Sequence, residues 1–124
     1  MKGGFFMFVK CFRDLDVWKK AHQLVLSVYQ LTKNYPQEEK FGLVSQIRRS
    51  AVSVCANLAE RNKKSNKDYL RFIDISQGSL EETKYYLILS KDLFYCDEIK
   101  YSELYKLGED VGRVLNALKR SLSQ

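Results

Sequence analysis

Between Phe41 and Glu60 the chain reads FGLVSQIRRSAVSVCANLAE, and its apolar positions Phe41, Val44, Ile47, Ala51, Val54 and Leu58 recur every three or four residues. That spacing places them on one stripe of an α-helix. At about 100° per residue, Val52, Ala56 and Ala59 fall near the opposite side, with Cys55 on the flank. A helix that is apolar on two faces needs a second surface to bury the second one. The pattern therefore predicts association with copies of the chain or with a partner, through Arg49, Val52, Cys55, Ala56 and Ala59.

Three further segments share the helical period, and no strand pattern competes with them. The first runs from about Asp16 to Tyr35, with Val17, Trp18, Ala21, Leu24, Val25, Val28, Leu31 and Tyr35 on its apolar stripe. Asp14 or Asp16 can cap its start, and Pro36 stops it, because the residue before a proline is pushed out of the α region. The second runs from about Gln37 to Arg61, with Glu38 and Glu39 near its positive end and Asn62 as a left-handed terminator. The third follows Ser65, which can cap it with Asp68 answering three residues on. Its stripe holds Tyr69, Phe72, Ile73, Ser76, Leu80, Thr83, Leu87, Ser90 and Phe94. The fourth begins near Asp97 and buries Leu104, Val111, Val114, Leu115, Leu118 and Leu122, with Gly108 and Gly112 inside it. Glycine there either lowers helicity or lets a neighbour approach closely. Links of a few residues favour antiparallel neighbours, so the fold expected is an all-α, up-down-up-down four-helix bundle. It forms a single domain over 12–122, preceded by a poorly ordered extension over 1–11.

Composition adds limits. The 124 residues are 45% hydrophobic and 29% charged, with one Pro and a net charge of +6. Cys11, Cys55 and Cys96 are odd in number and match no zinc spacing, and Cys55 reads as a small buried hydrophobe. That usage suits a cytoplasmic protein. The apolar run Phe5–Val9 is broken by Lys10 and lacks a small-residue cleavage site, unlike a signal peptide. Met7 is an alternative start. No segment approaches the roughly 20 apolar residues of a membrane span, so no membrane partner is expected.

The topology distributes charge unevenly. One pole gathers Lys10, Arg13, Lys19, Lys20, Arg61, Lys63, Lys64, Lys67, Arg71, Lys119 and Arg120. Against these eleven cations stand Asp14, Asp16, Glu60 and Asp68, a net of +7. The other pole sets Lys33, Lys40, Lys91 and Lys100 against Glu38, Glu39, Asp92, Asp97, Glu98 and Glu103, a net of −2. A positive pole, repeated around an oligomer, would draw a polyanion such as RNA or DNA by counterion release. No base-reading motif accompanies it, so contact would be with the backbone. The alternative is that Lys63, Lys64 and Lys67 only solvate a turn, and that the oligomer is a structural or adaptor protein.

Enzyme chemistry finds no support in the motifs. His22 is the only histidine and has no Cys or Ser partner at suggestive spacing. Glu81 and Glu82 are adjacent and point apart on a helix. There is no phosphate loop, nucleophile elbow or metal-ligand cluster, so no catalytic residue and no cofactor is expected. The tyrosines Tyr85, Tyr86, Tyr95, Tyr101 and Tyr105 read as packing or interface residues around the acidic pole. Asn57 and Glu60 form a polar pair on the flank of the second helix. Their expected role is structural, with Glu60 anchoring Arg61, Arg71 or a neighbouring subunit.

The segments FRDLDVWKKAHQLVLSVYQLTKNYP, EEKFGLVSQIRRSAVSVCANLAE and DYLRFIDISQGSLEETKYYLILS carry a family resemblance, with linked motifs at Asp16–Ala21, Phe41–Arg49, Ala56–Glu60 and Gln77–Glu82. Over about Phe12–Leu122 the chain resembles the four-helix-bundle proteins encoded in intervening sequences of bacterial 23S ribosomal RNA genes. The resemblance implies a cyclic homo-oligomer, a pentamer. It extends to the accessory variability determinant of diversity-generating retroelements, a positively charged barrel, which implies nucleic acid and a reverse transcriptase as partners. The family commonly follows Ala56–Glu60 with Gly where this chain has Arg61. That change is expected to lengthen the second helix to Asn62 and to add a charge at the basic pole.

Overall fold

The computed structural model describes residues 12–61 and 64–124. The expected extension over 1–11, with Lys10 and Cys11, and the turn residues Asn62 and Lys63 lie outside the described residues. Among the described residues there are four α-helices and no strand. They are α1 Asp16–Thr32, α2 Leu43–Leu58, α3 Asn66–Asp92 and α4 Glu98–Ser123. Each packs on the next, and α4 closes on α1. Cross-helix partners on α2 and α3 run in opposite order along the chain, from Tyr69 with Leu58 to Thr83 with Ser50. The all-α four-helix bundle expected from the hydrophobic pattern is the fold.

The helix ends are shorter than periodicity suggests. α1 stops at Thr32 rather than Tyr35, and the residue at its N-cap position is Leu15, not an aspartate. Thr32 Oγ1 instead donates to the Val28 carbonyl at 2.8 Å, closing the last turn. The second segment does not begin as an α-helix at Gln37. Gln37–Glu39 is a 3₁₀ turn, and α2 starts only at Leu43. Glu39 reaches forward, accepting from the Leu43 amide at 3.1 Å, and so caps α2. A Cβ on Gly42 would lie 2.8 Å from that carboxylate, which explains the glycine. At the other end α2 tightens into a 3₁₀ turn over Ala59–Arg61 instead of continuing to Asn62 as an α-helix. The caps of α3 and α4 are as expected: Ser65 Oγ accepts from the Asp68 amide at 3.1 Å and Asp97 from the Lys100 amide at 2.7 Å.

The core follows the stripes at most positions. Val17, Ala21, Leu24, Val25 and Val28 of α1 meet Ile47, Ala51, Val54 and Leu58 of α2, with Tyr69, Ile73, Leu80, Leu87, Leu104, Val111 and Leu115 from the other two helices. Two stripe positions fail. Phe41 lies in the loop before α2 and is 86% exposed, and Phe94 lies just past α3 and is 92% exposed. Periodicity extrapolates a stripe past the true helix end, where the backbone turns and the side chain leaves the core.

The seam between α2 and α3 is built from hydroxyls rather than large apolar groups. Ser50 and Thr83 share a hydrogen bond of 2.7 Å, and Ser79 donates to Ser53 at 2.8 Å. Ser76 donates to the Val54 carbonyl at 2.8 Å, and Tyr69 donates to the Leu58 carbonyl at 2.8 Å. Small side chains let the two backbones approach closely, and each buried hydroxyl then has a partner across or along the seam. On the opposite side of α3, Gly108 and Gly112 of α4 serve the same end. Their Cβ positions would lie 3.4 Å from Lys84 and Leu80 respectively, so the glycines permit close helix contact.

Two outcomes follow from this seam. Ser76→Leu, which must part the helices, is expected to lower unfolding free energy by about 3 kcal/mol, against about 1 kcal/mol for the isosteric Thr83→Val. Urea denaturation of both variants measures the difference. The second concerns alkali. Burial raises the Tyr69 phenol from 10.0 to about 12, against a smaller opposing pull from Arg61. The stability held by the neutral phenol is therefore complete below pH 10 and is lost as pH rises towards about 12. Tyr69→Phe should be less stable at pH 7 by about 1 kcal/mol yet lose stability less steeply above pH 10, as read from denaturant midpoints across that range.

Candidate nucleic-acid interface

Antiparallel helices bring the start of α1, the α2–α3 link and the end of α4 to one end of the bundle. The 3₁₀ turns at Phe12–Asp14 and Ala59–Arg61 touch each other there. Of the candidate cations, Arg13, Lys19, Lys20, Lys67, Arg71 and Arg120 are exposed. Arg61, Lys64 and Lys119 are half-buried, and Lys63 lies outside the described residues.

Three of these cations lie against aromatic rings. The Arg61 guanidinium sits 5.1 Å from the centre of the buried Tyr69 ring. Phe72 lies between Lys64 at 5.2 Å and Arg71 at 5.9 Å. On α1, Trp18 stacks on His22 with ring centres 4.8 Å apart and planes within 10°. Phe12 meets the edge of the same indole at 5.4 Å. A helix sets residues four apart on one face, so the Trp18–His22 pair was legible in the spacing; charge counting alone passed over it. Cations set against ring faces keep their charge and lose some freedom, which favours contact with phosphates flanked by stacked bases.

Two electrostatic expectations change. Lys119 pairs with Asp74 of α3 at 2.7 Å, which offsets one of the basic pole's charges by a carboxylate one turn below it. Glu60 is exposed and forms no ion pair with Arg61 or Arg71 among the described residues. Asn57 donates to the Ser53 carbonyl at 2.8 Å and to its hydroxyl at 3.1 Å.

The second face of α2 is open in the single chain. Arg49 and Ala56 are exposed, Val52 is 39% exposed and Ala59 is half-buried. Cys55 turns inward to its own core, so it leaves the outward set. Burial raises its thiol to about 12. Beside this face lies a cavity of about 240 Å³ lined by Gln46, Arg49, Ser53 and Glu82.

At the opposite pole Tyr95, Tyr101 and Tyr105 pack against neighbours, whereas Tyr85 is 56% exposed. Tyr95 donates to Glu39 at 2.9 Å and its ring meets Tyr35 at 5.4 Å, joining the α1–α2 and α3–α4 links. Lys91 and Lys84 cover the rings of Tyr101 and Tyr105. Among the described residues no group of three His, Cys, Asp or Glu side chains is placed to hold a metal ion. No described helix is long and apolar enough to cross a membrane.

No curated protein matches the sequence. Among solved structures, the bundle superimposes on a protein of unknown function from the S23 ribosomal protein family of Bacteroides thetaiotaomicron VPI-5482, with a TM-score of 0.77 and 24% identity. The match covers 84% of this chain and 95% of that one, and at this identity it establishes the fold alone. The sequence itself carries the stronger evidence. Residues 13–117, which span α1 to α3 and most of α4, match the model of the 23S rRNA-intervening sequence protein, and the chain belongs to that family.

Proposed function

We propose that this protein is a non-enzymatic, self-associating bundle that binds the backbone of RNA or DNA through its basic pole. The observation that carries this reading is the setting of Arg61, Lys64 and Arg71 against the rings of Tyr69 and Phe72 at one end of the molecule. Phosphates would meet Arg13, Lys19, Lys20, Lys64, Lys67 and Arg71, while the half-buried rings of Trp18 and Phe72 offer contact without base selection.

Self-association supplies the number of contacts that a lone pole lacks. The open face of α2, with Arg49, Val52 and Ala56, is the surface on which copies would meet, in a closed ring such as the pentamer implied by the family resemblance. Each added subunit repeats the cationic end, and avidity rises without a new kind of contact.

Replacing Lys64, Lys67 and Arg71 together by Glu is expected to weaken binding of single-stranded RNA by at least about 100-fold and to flatten its dependence on salt. Phe72→Ala is expected to weaken binding about tenfold while leaving the salt slope unchanged, once its stability has been checked. Fluorescence anisotropy over a salt series reads both, and full binding by the triple variant would remove this pole as the site. In parallel, Ala56→Glu and Val52→Asp should each give a smaller particle that stays helical. Light scattering that finds the wild-type mass in both variants counts against the α2 face.

A further inference from the structure

The end of the bundle opposite the basic pole carries a feature that packing alone does not explain. Phe94 has φ of 62°, in the left-handed region, and is 92% exposed. The bonds around it form a Schellman motif: the Phe94 amide donates to the Lys91 carbonyl at 3.0 Å, and the Tyr95 amide to that of Ser90 at 2.9 Å. Glycine ordinarily occupies that position, because a side chain there is strained. A bulky aromatic held in this conformation and aimed into water is an outlier that asks for a use.

Its surroundings are apolar and acidic. Leu93, on the same link, and Ile99, in the first turn of α4, are 43% and 71% exposed. The segment from Asp92 to Ile99 holds Asp92, Asp97 and Glu98 and no cation. Lys91, the nearest one before it, is engaged over the Tyr101 ring at 4.5 Å. Directly beside this link a groove of about 580 Å³ opens between α1 and α4, with Leu26, Leu31 and Leu104 among its apolar lining, Tyr95 and Asp97 along it, and Lys100 there paired with Glu103 at 3.6 Å.

We infer that this end is a docking surface for a basic, amphipathic segment of another protein. Its apolar side chains would enter the groove and cover Phe94 and Ile99, and its Lys or Arg side chains would meet Asp92, Asp97 and Glu98. The charge pattern selects a cationic occupant and disfavours nucleic acid and anionic lipid, which the three carboxylates repel. A second copy of the chain is a poorer fit. The rings at its cationic end already carry His22, Lys64 and Arg71 as partners. The two poles then have separate tasks, and this one stands whether or not the other binds nucleic acid.

The test uses the full chain and two fluorescent helical peptides of about four turns, each with Leu at the i, i+3, i+4 and i+7 positions. One peptide has Lys at the remaining positions and the other has Glu. The Lys peptide should bind at least about tenfold more tightly than the Glu peptide. Phe94→Gly should weaken the Lys peptide at least about tenfold while raising Tm by about 4 °C, because strain leaves with the ring. Ile99→Ser, at an exposed site, should weaken it with Tm unchanged. The Glu triple variant at the basic pole should bind the peptide as wild type does. Equal binding of both peptides, unchanged binding in Phe94→Gly and Ile99→Ser, or loss of binding in the basic-pole variant would each overturn the proposal. So would a fall in particle mass in Phe94→Gly, which would make the occupant a second copy.

Discussion

Close approach of α2 and α3 is the constraint on which the rest of the molecule depends. Ser50, Ser53, Ser76, Ser79 and Thr83 are too small to fill a wide seam, so the helices must come together until hydroxyls meet hydroxyls and carbonyls. Once the backbones are that close, the register is fixed, since each buried hydroxyl has one partner at the right height and a shift would leave several unpaired. A greasy seam would tolerate sliding far better. The seam also turns α2 about its axis. With Ile47, Val54 and Leu58 inward and Ser53 towards α3, Val52 and Ala56 must point away from the subunit.

Polarity along the long axis is a consequence of the same arrangement. An antiparallel bundle sorts its links into two groups, one at each end, so a chain that concentrates cations near one turn and carboxylates near another becomes electrically asymmetric. The basic end is assembled from three elements far apart in sequence, and the Tyr69 bond to Leu58 locks two of them together below Arg61. The acidic end is locked by Glu39, which caps α2 and accepts from Tyr95 of the other link.

Much of this was legible in the sequence. Periods of three and four gave the helices, short links their direction, and Ser76, Thr83 and Ser90 already stood in the α3 stripe among Ile73, Leu80 and Leu87. What a stripe does not encode is where the backbone leaves the helix. Phe41 and Phe94 continue the period by one step, yet a 3₁₀ turn and a left-handed residue respectively put them in water. Nor does one-dimensional charge counting show partners. Asp74 lay outside the basic pole by position and is bonded to it in space, whereas Glu60 lay inside and pairs with none of its cations among the described residues.

Physical cost distinguishes the exposed apolar groups of α2 from Phe94. Val52 and Ala56 occupy ordinary helical positions and carry no strain; their exposure follows from α2 having one side too many for a single bundle. Phe94 is different, because glycine would satisfy the same hydrogen bonds without the left-handed penalty and without an aromatic ring in water. Two local disadvantages at one residue are hard to attribute to packing, since among the described residues the ring makes no aromatic pair and is not part of either buried cluster. On the proposed readings the α2 face would be completed by symmetry, and the Phe94 end by a partner of opposite charge.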